Sequence, residues 1–116
     1  MKVLLILNDP PYGTERSYNG LRLAGSLSKR TGTTVKVFLM GDAAACAKAG
    51  QKVPQGYYHL ERMIRISLQQ GATVGVCGSC LDARGIRDAE LVEGTHRSSL
   101  NELTEWTLWA DRVIVF

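Results

Sequence analysis

The chain is short, ordinary in composition and weakly basic. It has 116 residues, of which 45% are hydrophobic and 22% are charged, and its formal net charge is +3. This length suits one domain and this hydrophobic content supplies a core, so a disordered chain is excluded. The 14 Lys and Arg residues are scattered and form no basic run. We therefore expect no direct nucleic-acid binding.

No targeting or membrane signal is predicted. The apolar start of the chain is too short for a signal peptide and runs directly into Asn8 and Asp9. No apolar run is long enough to span a bilayer. The three cysteines are an odd number without secretory context, which argues against a disulfide scaffold. We therefore expect a cytoplasmic protein with free thiols and no membrane association.

The first half of the chain predicts two strands with a helix between them. Residues 2–8 are almost continuously apolar, which is typical of a strand buried on both faces. After a loop stiffened by prolines, Ser17 is a good cap for a helix. Residues 33–40 are β-branched and apolar and predict the second strand. Asp42 is then predicted to cap an alanine-rich helix over residues 43–49.

The second half continues this alternation of helices and strands. Apolar residues at helical spacing predict helices, and short apolar runs predict strands. The predicted elements are a helix over residues 57–70, a strand over 73–77, a short fourth strand over 90–94, a last helix starting at Ser98 or Ser99, and a strand over 112–116.

The order of the elements predicts the fold class. No tight hairpin turn joins two consecutive strands, which is typical of right-handed βαβ crossovers. We predict an α/β fold: a single domain over residues 1–116, doubly wound, with a mostly parallel five-stranded sheet and helices on both faces. Ligands bind such sheets at the carboxyl edge. The predicted strands deliver Asp9, Asp42, Cys77 and His96 to that edge.

The segment that begins at Cys77 holds the best candidate for chemistry. Cys77 ends the third predicted strand, and Gly78 and Ser79 then break the strand. Backbone N–H groups and a helix amino end at this place would favour the thiolate over the thiol. We predict Cys77 as the nucleophile and Arg84 as a source of positive charge beside it. Cys80 is either a resolving thiol or a space-filling side chain.

These motifs resemble the DsrE/DsrF-like sulfur-relay family, and within it the YchN-type proteins. The resemblance covers nearly the whole chain, with the blocks in the right order. The matching blocks are Pro11-Tyr12-Gly13, Asn19-Gly20-Leu21-Arg22-Leu23-Ala24, Phe38-Leu39-Met40-Gly41-Asp42-Ala43, Gly50-Gln51-Lys52, Gly56-Tyr57, Cys77-Gly78-Ser79-Cys80-Leu81-Asp82-Ala83-Arg84-Gly85-Ile86, Glu102-Leu103, Trp106-Thr107-Leu108 and Ala110-Asp111.

The resemblance implies an activity and partners. It implies a DsrE-like doubly wound domain that assembles into homo-oligomers, either trimers or hexamers. It also implies a sulfur carrier or sulfurtransferase-like protein that holds sulfur as a persulfide on Cys77. The sulfur would pass between donor and acceptor proteins. The neighbouring Cys80 thiol could instead resolve such a persulfide into a disulfide.

Five further residues are expected to contact the substrate, and no cofactor is expected. They are Tyr12, Gly13, Gly78, Gly85 and His96. A metal site is not expected, because one CxxC pair supplies only two ligands and no other cysteine or histidine has zinc-type spacing.

Two other functions remain open from the residues alone. The CxxC spacing of Cys77 and Cys80 also fits a dithiol redox protein. The pair lies late in the chain and every proline precedes it, which is unlike a thioredoxin-type fold. The other alternative is an oligomeric module that binds a small molecule and has no chemistry at Cys77.

Overall fold

The computed structural model describes residues 1–116 and contains one five-stranded sheet in which every pair of neighbouring strands is parallel. Its strands are β1 (Lys2–Leu7), β2 (Thr34–Leu39), β3 (Thr73–Cys77), β4 (His96–Ser98) and β5 (Arg112–Val115). They lie in the order β4-β3-β2-β1-β5. The predicted α/β fold with a five-stranded sheet is confirmed, and the sheet is wholly rather than mostly parallel.

Four α-helices and two 3-10 segments connect the strands. The short helix after β3 begins directly at the end of that strand, so it lies at the carboxyl edge of the sheet. The helices are α1 (Arg16–Ser28), α2 (Leu60–Gln69), α3 (Gly78–Ala83) and α4 (Leu100–Trp109), and the 3-10 segments are Gly41–Ala47 and Asp88–Glu90.

Helices cover both faces of the sheet, as predicted. Leu5 of β1 lies in the larger hydrophobic core together with Leu21 of α1 and Ile64 of α2. The next residue back, Leu4, lies in a smaller core with Trp106 of α4. Successive side chains of a strand point to opposite faces. This two-sided burial explains why β1 is continuously apolar in the sequence.

The fourth strand lies four to six residues later than predicted. Residues 90–94 form no strand: Leu91 makes only an isolated antiparallel bridge to Lys48, and Val92 is buried beneath the 3-10 segment Gly41–Ala47. The actual strand, β4, is three residues long and polar in sequence. It lies at the edge of the sheet beside β3 alone. A short polar edge strand lacks the apolar run on which strand prediction depends.

Two predicted helix caps are wrong. Ser17 lies inside α1 and is fully buried, and its hydroxyl donates a 2.6 Å hydrogen bond to the carbonyl of Asp9. Ser17 therefore ties the helix to the loop after β1. Asp42 makes no capping hydrogen bond and pairs with Arg84 instead. The alanine-rich segment it was expected to cap is a 3-10 segment of buried small side chains.

Two other helix starts follow recognisable caps. The helix predicted over residues 57–70 begins at Leu60, where the Nδ1 atom of His59 accepts a 3.3 Å hydrogen bond from the backbone N–H of Arg62. The last helix begins after Ser99, whose hydroxyl accepts a 3.2 Å hydrogen bond from the backbone N–H of Glu102. Ser99, one of the two starts predicted for this helix, is thus a conventional N-cap.

Candidate functional site

Cys77 lies where β3 turns into α3. It is the last residue of the strand and the residue that precedes the first turn of the helix. Its side chain is partly exposed. The Sγ atom of Cys77 lies 2.7 Å from the Sγ atom of Cys80 and 3.4 Å from the hydroxyl oxygen of Ser79. The thiol is therefore both reachable from solvent and surrounded by hydrogen-bond donors.

These donors favour the thiolate of Cys77. Burial raises the pKa of this thiol, but hydrogen bonds from the Cys80 thiol, the Ser79 hydroxyl and the backbone N–H groups of both residues outweigh burial. The pKa of Cys77 consequently lies below its ordinary value. Because the thiolate is the nucleophilic form of cysteine, this environment activates Cys77.

The pKa of Cys80 is shifted in the opposite direction. Burial raises the pKa of Cys80, and the donation of its proton to Cys77 raises it further. The backbone N–H of Gly41 donates a 3.1 Å hydrogen bond to the Cys80 sulfur and only partly offsets this. The pair is therefore asymmetric: Cys77 is the more acidic of the two thiols, and the Cys80 thiol donates a hydrogen bond to it.

Arg84 was predicted to place positive charge beside Cys77, but its hydrogen bonds go to other groups. Its Nη2 atom lies 2.7 Å from the Oδ1 atom of Asp42, and its Nη1 atom donates a 3.0 Å hydrogen bond to the carbonyl of Cys80. The guanidinium thus forms an ion pair with Asp42, which lies in the 3-10 segment Gly41–Ala47. Arg84 fastens α3 to that segment, and it makes no hydrogen bond to the Cys77 sulfur.

A cavity of about 470 Å³ opens beside the two thiols. Most of its wall is apolar, and no Asp, Glu, Lys, Arg or His side chain lines it. The lining residues are Phe38, Met40, Cys77, Gly78, Ser79, Cys80, Ser98, Ser99, Leu100 and Leu103. A charged reacting group would therefore make its polar contacts chiefly at the Cys77 end of the cavity. The lining hydroxyls and thiols lie there.

His96 does not reach the carboxyl edge. It begins β4 and pairs in register with Gly75, two residues before Cys77. Its Nε2 atom is hydrogen-bonded to the Oε1 atom of Glu102, and its ring lies edge-on to Trp106. The prediction of His96 at this edge followed from placing the fourth strand too early. Ser98 occupies that position instead, as the register partner of Cys77.

Glu102 was not singled out from the sequence as a site residue. Its Oε1 atom accepts a 2.6 Å hydrogen bond from the Ser98 hydroxyl and also contacts His96. Burial raises the pKa of Glu102, but these two hydrogen bonds outweigh burial and hold it below the ordinary value. The available signal was the spacing Ser99-x-x-Glu102, which is typical of a capping box. The carboxylate orients Ser98 at the wall of the cavity.

The other predicted contact residues are separated by the fold. Gly78 lines the cavity, whereas Tyr12, Gly13 and Gly85 do not. The hydroxyl of Tyr12 donates a 2.6 Å hydrogen bond to Gln51 on the face of the sheet covered by α1 and α2. The sequence therefore predicted five contacts, of which the structure brings one to Cys77.

No group of three or more His, Cys, Asp and Glu side chains is arranged to hold a metal ion. None of the helices combines the length and the apolar character that crossing a membrane requires.

Comparisons with known proteins agree with the fold and the motifs. A model of the DsrE/DsrF-like family matches residues 1–116. The chain is 38% identical over 116 residues to protein YchN of Escherichia coli (strain K12), with coverage of 99% of this chain and 98% of YchN. The crystal structure of the ychN protein from E. coli matches with a TM-score of 0.94 and covers 100% of this chain and 99% of that one.

A more distant relative has a named activity. The chain is 26% identical over 128 residues to sulfurtransferase TusD of Salmonella typhi, with coverage of 100% of both chains. The predicted resemblance, including its YchN-type branch, is confirmed. This chain belongs to the DsrE/DsrF-like family.

Proposed function

We propose that this protein is a sulfur-relay carrier that holds sulfur as a persulfide on Cys77 and passes it between protein partners. One observation carries the proposal: a partly exposed thiol with a lowered pKa opens into a cavity at the carboxyl edge of the sheet. Membership in the DsrE/DsrF-like family and the distant similarity to a sulfurtransferase support it.

The loading step is a nucleophilic exchange at sulfur. The Cys77 thiolate attacks the outer sulfur of a donor persulfide, R–S–SH. A new S–S bond forms on Cys77 while the donor S–S bond breaks, and the donor leaves as the thiolate R–S⁻. The outer sulfur keeps its proton. In unloading, an acceptor thiolate attacks that outer sulfur and Cys77 leaves as a thiolate.

The role of Cys80 follows from its raised pKa. As a thiol, Cys80 donates a hydrogen bond and is a poor nucleophile, which suits the storage of a persulfide on Cys77. The competing step is attack of the Cys80 thiolate on the inner sulfur. It would form the Cys77–Cys80 disulfide and release HS⁻. The short distance between the two thiols favours this redox alternative, so the experiment must separate the two outcomes.

The partners are part of the same proposal. Donor and acceptor proteins would reach Cys77 through the mouth of the cavity, in the cytoplasm. A homo-oligomer, either a trimer or a hexamer, is expected from the family resemblance. Exposed apolar side chains support such an assembly: Leu108 is 82% exposed, Leu100 75% and Val115 62%.

The test is sulfur loading measured by intact mass. The reduced protein is incubated with a low-molecular-weight persulfide, and the wild type is compared with Cys77→Ser and Cys80→Ser. We expect the wild type and Cys80→Ser to gain one sulfur atom, and Cys77→Ser to gain none. Cys46→Ser is the matched control, since Cys46 is fully buried and should not affect loading.

Two other outcomes would change the conclusion. If the wild type forms an internal disulfide and only Cys80→Ser retains the added sulfur, the pair is a redox or sulfur-releasing couple. If no variant takes up sulfur or oxidises, the carrier function is refuted.

A further inference from the structure

Arg97 is the side chain that holds α3 against the edge of the sheet. It is the middle residue of β4 and pairs in register with Val76, so its side chain leaves the sheet on the face opposite to Cys77. The side chain is about one-third exposed. It donates to three acceptors: the carbonyl of Gly78 at 3.0 Å, Asp82 Oδ1 at 2.9 Å and Asp88 Oδ1 at 2.8 Å.

Two of these acceptors lie at opposite ends of α3. Gly78 is its first residue and Asp82 its fifth, and the helix has only six residues. A helix this short does not persist by its own hydrogen bonds, so tertiary contacts must hold it in place. Within α3, only Gly78 and Leu81 are buried. The guanidinium thus supplies polar anchors at both ends of a helix that has one large buried side chain.

The contact between Gly78 and Arg97 leaves no space for a larger residue. A Cβ atom at position 78 would lie 2.9 Å from the Nη1 atom of Arg97 and 3.0 Å from the carbonyl oxygen of Ser98. The absence of a side chain at Gly78 is therefore what allows the guanidinium to reach the helix. At this point the backbone of α3 therefore packs directly against β4.

We infer that Arg97 is a positioning residue for the nucleophile: by binding both ends of α3, it holds the hydrogen-bond donors of Ser79 and Cys80 against the sulfur of Cys77. This inference rests on the proposed function of Cys77. Arg97 acts through α3 and makes no contact with the reacting sulfur. Arg97 carries no local sequence signal, since it is a single arginine in a short polar segment next to His96.

The geometry of the guanidinium matters more here than its charge. Asp82 and Asp88 both lie against Arg97, so its positive charge is already compensated. The property that a lysine lacks is the planar guanidinium, whose N–H groups reach three acceptors in different directions. A lysine at position 97 keeps the charge but offers one flexible ammonium group, and it cannot bind both ends of α3 in the same way.

The test measures alkylation of Cys77 by iodoacetamide, with the label located at Cys77 by peptide fragmentation. Rates are measured as a function of pH for the wild type, Arg97→Met, Arg97→Lys and the control Arg87→Met. Arg87 is a suitable control because it is an exposed arginine paired with Glu90 and has no bond to α3. We expect both Arg97 variants to react about threefold or more slowly at neutral pH, with the midpoint of the pH profile moved upward. Arg87→Met should match the wild type.

Folding is checked separately for each variant by circular dichroism. If Arg97→Met does not fold, Asp82→Ala decides the question, since it leaves Arg97 intact and removes only the acceptor near the end of α3. It should slow alkylation in the same direction. Wild-type rates in folded Arg97→Met or in Asp82→Ala would refute the inference, and so would full rescue by Arg97→Lys.

Alkylation involves no sulfur transfer, so the two proposals fail in different ways. A wild-type protein that alkylates as expected but takes up no persulfide contradicts the carrier function alone. A protein that loads sulfur normally, with Arg97→Met alkylating at the wild-type rate, contradicts only the role of Arg97.

Discussion

The thiol of Cys80 donates a hydrogen bond to the sulfur of Cys77, and the two sulfur atoms are 2.7 Å apart. This contact separates the pKa values of the two residues in opposite directions. The CxxC spacing alone is symmetric and does not indicate which cysteine is the nucleophile. The helix geometry makes Cys77 the more acidic of the two, because it accepts hydrogen bonds from the turn that follows it.

Removal of the Cys80 donor should make Cys77 less acidic. In Cys80→Ala, the thiolate of Cys77 loses one of the hydrogen bonds that lower its pKa. We expect the midpoint of the pH profile for alkylation of Cys77 to move upward relative to the wild type. Cys80→Ser should lie between the two, because a hydroxyl can still donate. An unchanged midpoint in Cys80→Ala would contradict the assigned direction of this hydrogen bond.

Two glycines of α1 should respond oppositely to the same substitution. A Cβ atom at Gly25 would meet only Gln70 Oε1 at 3.6 Å, an ordinary contact. Gly25→Ala should therefore raise the free energy of unfolding by about 0.5–1 kcal/mol, because alanine favours helix. A Cβ atom at Gly20 would overlap the buried Leu7 and lie 3.3 Å from Phe116. Gly20→Ala should lower the free energy of unfolding by about 1–3 kcal/mol.

Urea denaturation of the two variants and the wild type measures both changes. The helix, the substitution and the loss of backbone freedom are the same at the two positions. Equal shifts at the two positions would show that the packing of Gly20 against β1 does not limit the size of this residue.

Glu61 should make the free energy of unfolding depend on pH. Its carboxylate accepts hydrogen bonds from Arg65 at 2.7 Å and from the backbone N–H of Gln51 at 2.9 Å. Burial raises the pKa of Glu61, but these bonds outweigh burial and hold it below the ordinary value of 4.5. Its contribution to stability is therefore full above that ordinary value and is lost as pH falls through the lower folded value.

The variant Glu61→Gln tests this dependence. At neutral pH it should lower the free energy of unfolding by about 1–3 kcal/mol, which is typical of losing hydrogen bonds to a charged group. The difference from the wild type should shrink on acidification. The exposed Glu105 has no hydrogen bond or ion pair, so Glu105→Gln serves as the matched control. A difference that does not depend on pH would contradict the role of the Glu61 charge.

The thiol of Cys46 should not react with reagents in the native state, and its ionisation should be unfavourable. It is fully buried, and burial raises the pKa of its thiol to about 12. Its contribution to stability is full below the ordinary value of 9.0 and is lost as pH rises toward about 12. A thiol titration with a chromogenic disulfide should therefore detect Cys77 and Cys80 in the native protein and Cys46 only after denaturation.

The variant Cys46→Ala provides the comparison. It should give the same native thiol count as the wild type, and its stability should fall less steeply in alkali. Rapid reaction of a third thiol in the folded wild type would contradict the burial of Cys46.

The features of the fold that could be predicted from the sequence are those with a local signal. The apolar run of β1 and the short apolar run that ends at Cys77 identify buried strands, because burial on both faces leaves a continuous apolar pattern. The motif blocks identify the family. The start of the last helix was predicted at Ser98 or Ser99, because a cap depends only on neighbouring residues.

Local patterns were not sufficient for β4. Its three residues are polar, and they form a strand only because the edge of β3 offers unpaired hydrogen-bonding groups. The early placement of this strand in turn misplaced His96, left Arg97 unnoticed, and made Ser98 a possible helix start rather than a strand residue beside Cys77. Ser17 was misassigned for a similar reason, since its hydroxyl binds the carbonyl of Asp9 in another segment.

The sequence by itself determined the alternation of strands and helices, the family and the identity of the candidate nucleophile. Only the tertiary structure decided which groups surround Cys77. Cys80 comes from the following turn, Ser98 from a neighbouring strand, and Arg97 acts from the opposite face. The physical reason is that strand and helix patterns reflect the burial of single segments. The hydrogen bonds to the Cys77 sulfur come from the following turn. The cavity wall at Ser98 and the contacts of Arg97 with that turn instead involve segments that are distant in sequence and meet only when the sheet has formed.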